Sequence, residues 1–78
     1  MYKAAMFTEG DLEGIYNFGA AEARTIFIDG YRIGAGEYGG HGVDVYTLDP
    51  EGVWLDSEGQ EPKEDVIKQI KGVRNNEV

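Results

Sequence analysis

Residues 19–40, GAAEARTIFIDGYRIGAGEYGG, admit two incompatible backbones, and the choice between them sets the topology of everything else. Asp29-Gly30 between TIFI and YRIG is a strong hairpin signal, and that hairpin would put Ile26, Ile28, Tyr31 and Ile33 on one face. It leaves AAEAR and GAGEY without a role. At helical spacing, Glu22, Thr25, Asp29, Arg32 and Gly36 fall in one sector, while Ala20, Ala23, Phe27, Tyr31, Gly34 and Tyr38 form the opposite stripe. Gly19 is placed to cap the start, Glu22 suits the positive end of the dipole, and Gly39-Gly40 offers a left-handed residue at the end. Internal glycines Gly30, Gly34 and Gly36 each cost such a helix about 1 kcal/mol against alanine. The helix accounts for more of the segment, so a helix over residues 20–38 is expected.

The flanking segments are simpler. YKAAMFT (2–8) and GIYNF (14–18) read as strands joined by the acidic turn EGDLEG. VDVYTL (43–48) alternates, with Val43, Val45 and Thr47 opposite Asp44, Tyr46 and Leu48. DPEG (49–52) is a turn with proline at its favoured second position, and VWLD (53–56) is expected to return antiparallel. Pro62 opens a second helix, with Glu64 and Asp65 in its first turn and Lys68 and Lys71 towards its end. Val66, Ile67, Ile70 and Val73 supply its buried face, Gly72 ends it, and residues 73–78 form a frayed tail. The expected fold is one α+β domain over residues 1–78, ordered ββαββα: a four-stranded antiparallel sheet with both helices packed on one face. Both hairpin turns would project from the same end of that sheet. Gly30 and Gly34, one turn apart, would let the first helix approach the protein's own sheet or, alternatively, a second copy of the chain.

Little in the chain suggests catalysis, and no cofactor is implied. His41 is the one histidine and there is no cysteine, so no familiar zinc site can be assembled. Ser57, the one serine, lies between Asp56 and Glu58 with no sequence-adjacent base. LDSEGQE has acids at alternating positions, but the third acid, the central glycine and the terminal glutamate of a calcium loop are out of register. GYRIGAGEYGG lacks the lysine and the strand–turn–helix setting of a phosphate loop. A 78-residue domain also offers little cleft in which a carboxylate could be buried for general acid–base work. The chain reads as non-enzymatic.

Charge is the informative quantity. Fifteen acidic against seven basic residues give a net charge of −8. Such a surface repels nucleic-acid backbones and anionic lipid, while 41% hydrophobic residues argue against a disordered acidic tail. No run of about 18 apolar residues is present to span a membrane, and MYKAAMFTEG is a poor signal peptide. A cytoplasmic location is expected. Between residues 49 and 65 lie Asp49, Glu51, Asp56, Glu58, Glu61, Glu64 and Asp65, opposed there by Lys63 alone. Glu9, Asp11 and Glu13 form a second group.

Two readings fit these acids. In one they serve solubility. In the other they imitate a phosphate backbone and are steered to a basic cleft, with Tyr46, Trp54 and Tyr16 as aromatic anchors. A compact, cysteine-free acidic chain carrying the 49–65 cluster and the pattern AEARTIFIDGY…YGGHGVDVYTL…WLDSEG resembles the small phage-encoded anti-CRISPR proteins. That resemblance implies binding to a CRISPR effector complex in the host cytoplasm, often at its DNA- or PAM-recognising surface, with no turnover. It transfers no residue roles, because the class has no common motif. The alternative function is a scaffold module that self-associates through Ile26, Gly30, Ile33 and Gly34 of the first helix.

Overall fold

Ala4, Ala5, Met6 and Phe7 are apolar in succession, a pattern that suits a strand covered on both faces rather than one. In a computed structural model, which describes residues 1–34 and 42–76, this is what they form. Strand β1, Tyr2–Thr8, is central in a three-stranded antiparallel sheet, flanked by β2 (Asp11–Phe18) and β3 (Val43–Leu48) in the order β2-β1-β3. Its four central residues are at most 2% exposed. Helix α1, Ala21–Gly34, connects β2 to β3, and helix α2, Glu64–Asn76, follows β3.

The alternation of β1 assigns the helices to opposite faces. Ala4 and Met6 point with Val45 to the side where Phe27, Ile28 and Tyr31 of α1 pack. Ala5 and Phe7 point to the other, against Ile70 and Val66 of α2 and Trp54. The first face is aromatic, with Phe27 within 4.7–5.7 Å of the ring centroids of Tyr16, Phe18 and Tyr31. On the second, Phe7 meets Tyr46 edge-on at 5.2 Å. The expectation of both helices on one face is therefore corrected: two consecutive pairs of small and large apolar residues in β1 need two covers.

The helix over 20–38 is realised as Ala21–Gly34, so Asp29-Gly30 is not a hairpin; residues 35–38 and the proposed Gly39-Gly40 stop lie outside the described residues. Ala20 rather than Gly19 supplies the first intrahelical carbonyl, which accepts from Arg24 N at 3.3 Å. Gly30 and Gly34 do not approach the sheet: a Cβ at either would meet nothing within 4 Å.

The β1–β2 connection is tighter than EGDLEG. Thr8 pairs with Asp11, so Glu9 and Gly10 alone make the turn, with φ of 53° and 88°. Two successive positive φ values match the right-handed twist of a hairpin, and glycine at the second accommodates one of them without steric cost. The register then slips between Met6 and Phe7, which pair with Gly14 and Leu12, leaving Glu13 as the bulged residue.

The fourth strand does not form. Its trace is one antiparallel bridge, Thr47 to Leu55, closed by two backbone bonds of 2.8 and 2.9 Å. The chain leaves β3 there because Asp56 folds the next residues on themselves. Its Oδ1 accepts from Glu58 N at 2.8 Å and Gln60 N at 2.9 Å, and its own N–H donates to Gln60 O at 2.7 Å. A side chain that satisfies the local backbone competes with sheet pairing. The order is thus ββαβα. With β1 antiparallel to both neighbours, the Glu9-Gly10 turn and the Asp49–Gly52 turn project from opposite ends of the sheet, not the same one.

Helix α2 begins where Lys63 O accepts from Val66 N and Ile67 N, two residues after Pro62, with Glu64 and Asp65 in its first turn. Gly72 does not end it, since the helix runs on to Asn76; residues 77–78 and the side chains of 73–76, Val73 among them, lie outside the described set.

Candidate protein-interaction surface

The acids expected to form one row are distributed by the sheet into separate groups. Asp49 follows β3 at the end of the sheet occupied by Tyr2, with Glu51 two residues on in the same turn. Asp49 is not free: its Oδ1 lies 2.9 Å from a guanidinium nitrogen of Arg24. Glu64 is exposed and faces Lys68 at 3.7 Å, one turn along α2, a pairing of small energetic weight. Glu58 and Glu61 are exposed.

Three carboxylates bear on Tyr46. Burial pushes its hydroxyl above the ordinary tyrosine pKa, and the charges of Asp44, Asp56 and Asp65 push it further in the same direction. These carboxylates come from β3, from the self-closed loop and from the first turn of α2. Among the described residues none of the three is in an ion pair. They are spread rather than convergent: no group of three or more His, Cys, Asp or Glu among the described residues is placed to hold a metal ion. Asp44 was outside the expected row, although its position beside Tyr46 follows from a two-residue strand period and was legible in VDVY.

The expected anchors are placed differently. Tyr46 and Trp54 are half-buried and pack on the Ala5–Phe7 cluster, and Tyr16 packs under α1. Each has a structural task, and only part of each surface faces solvent. Ile26 and Ile33, by contrast, are 73% and 58% exposed on the outer side of α1, with bare Gly30 between them. His41 lies outside the described residues.

Two polar residues that hold the surface in place were not anticipated. Nη1 of Arg24, besides its contact with Asp49, donates to Leu48 O at 3.2 Å and Lys3 O at 3.4 Å, and the guanidinium lies 5.4 Å from the centroid of Tyr2. Gln69 accepts from Leu12 N and donates to Gly10 O, both at 3.2 Å, so α2 is clamped to the β1–β2 hairpin. The signal for Arg24 is its position, one turn before Phe27 and Ile28 on the face that packs inward.

Asp56 also has a structural role, which gives a prediction. Asp56→Ala removes the acceptor for two backbone N–H groups and is expected to lower stability by about 1 kcal/mol, whereas Asp56→Asn keeps the acceptor and most of that stability. Thermal melts of the two variants decide it; equal melting points would show that the loop does not depend on this oxygen.

No helix among the described residues is long and apolar enough to cross a membrane. Comparison with known protein families, curated proteins and solved structures finds no match to this chain.

Proposed function

We propose that this chain is a non-catalytic acidic interaction module that covers a basic, nucleic-acid-binding surface of a larger protein. The partner implied by the sequence resemblance is a CRISPR effector complex, which places the action in a host cytoplasm. The observation that supports this reading is the corner around Tyr46, on whose hydroxyl the charges of Asp44, Asp56 and Asp65 all bear, with none of the three in an ion pair among the described residues. Unpaired carboxylates on a domain of net charge −8 make the local potential more negative and steer it to a basic cleft. Like charges held together also cost the free domain stability, and a basic partner relieves that cost.

Co-purification of the tagged protein from cells carrying CRISPR effector complexes tests the proposal. Retention of an effector that declines as wash salt rises is expected, because exposed charge pairs are screened. Retention indifferent to salt would contradict it.

A second reading is favoured by the exposed Ile26 and Ile33 on α1. In it the chain is a scaffold that dimerises through that helix face. Light scattering separates the two: a dimer that persists in high salt and is lost in Ile26→Ser/Ile33→Ser supports the scaffold.

A further inference from the structure

On the face of the sheet beneath α2, Asn17, Lys3 and Leu48 form one row across the three strands, since Lys3 pairs with Asn17 on one side and Leu48 on the other. This row floors a cavity of about 100 Å³, closed by Trp54 and by Ile70 and Lys71 of α2. The cavity is anomalous for this protein. Acids outnumber bases about two to one, yet its lining holds two lysines, an amide and no carboxylate. Neither Lys3 nor Lys71 is in an ion pair among the described residues. Glu61 lines a neighbouring, more open pocket that shares Leu48, Trp54, Ile70 and Lys71 with this cavity.

We infer that this cavity is a binding site for a small organic monoanion, a carboxylate with a compact apolar body. The apolar body fits against Leu48, Trp54 and Ile70, removing its surface and theirs from water. The carboxylate sits where the ammonium groups of Lys3 and Lys71 and the amide of Asn17 can donate to it; such charge-assisted bonds are stronger than neutral ones. A cation is disfavoured by the two lysines, and an anion with a larger body would have to extend into the neighbouring pocket that Glu61 lines. The site is independent of the acidic corner, so it stands or falls separately from the proposed partner.

Benzoate is a suitable probe, with benzamide as its neutral counterpart of nearly the same shape. Trp54 is the only tryptophan, so intrinsic fluorescence reports directly on the cavity. A saturable change with benzoate is expected, with benzamide about tenfold weaker or more. Lys71→Gln, at an exposed position, is expected to weaken benzoate by a similar factor while the melting temperature is kept. Lys63→Gln, which removes the same charge outside the cavity, should leave affinity unchanged; Lys3→Gln provides a second variant inside it. No saturable change, equal binding of benzamide, or equal effects of Lys63→Gln and Lys71→Gln would each overturn the assignment.

Discussion

Phe7→Ala is expected to lower stability by about 3–5 kcal/mol, the largest loss of any single truncation argued for this protein. Phe7 is 2% exposed in the central strand and joins Ala5 and Ile70 in the cluster under α2. Truncating a buried phenylalanine costs about 3–5 kcal/mol, the transfer term plus the cavity left behind. A domain of 78 residues has about 4–12 kcal/mol in total at typical values per residue. With no disulfide to constrain the unfolded chain, the loss takes most of the margin at the lower end of that range. Urea unfolding followed by Trp54 fluorescence measures it. Phe7→Leu, which keeps most of the volume, should cost less than about 1.5 kcal/mol. If Phe7→Ala also cost under 1 kcal/mol, this face of the sheet would not be packed by α2.

Arg24→Met is expected to cost about 2–3 kcal/mol, although Arg24 lies on a helix and in an ordinary surface segment of the sequence. Its side chain is 12% exposed, and one nitrogen serves Leu48 O, Lys3 O and Asp49 together. Hydrogen bonds from a charged donor contribute about 1.5–3 kcal/mol each, reduced here by the long contact to Lys3 O. Methionine retains the apolar stem, so the effect isolates the guanidinium. A domain of this size loses about 4–8 °C in Tm per kcal/mol, which puts the expected fall at about 8–24 °C. Asp49→Ala should cost under about 1 kcal/mol, because that carboxylate is 61% exposed and its pairing is screened. Equal losses in the two variants would mean that the ion pair, not the anchoring of α1 to the ends of β1 and β3, carries the energy.

The contrast between these residues shows what the sequence made legible. Strands Tyr2–Thr8 and Val43–Leu48 follow from apolar runs and alternation, and their ends match the expected ones. Residues 21–34 follow from helical spacing strong enough to outweigh Asp29-Gly30. Placement of α2 on the opposite face from α1 was encoded in the uninterrupted AAMF, since a strand covered on one side alternates and this one does not. The failure of residues 53–56 to add a strand was less accessible, because it depends on Asp56 capturing Glu58 N and Gln60 N, and local competition of that kind has no periodic signature. The inward placement of Arg24 was legible one turn before Phe27 and Ile28, but its partners were not, because they are carbonyls on two strands, which no side-chain pattern records.

The acidic surface was legible in amount but not in arrangement. Chain order placed seven acids in one row; the turn after β3 and the loop at Asp56 divide them, leave Asp49 paired with Arg24, and bring Asp44 into the group at Tyr46. Trp54 and Tyr46, expected as anchors, are half-buried and pack on the Ala5, Phe7 and Ile70 cluster.

The central claim, that this corner competes with nucleic acid for a basic surface, is tested most directly by displacement. A purified CRISPR effector complex is loaded with labelled target DNA and titrated with the protein, alongside a variant carrying Asp44→Lys and Asp65→Lys. Both side chains are exposed members of the corner, and the substitutions leave the Asp56 loop bonds in place. Stoichiometric displacement of DNA by the wild-type chain is expected, weakened about tenfold or more in the variant and by rising salt. Displacement by both proteins alike, or by neither, would contradict it.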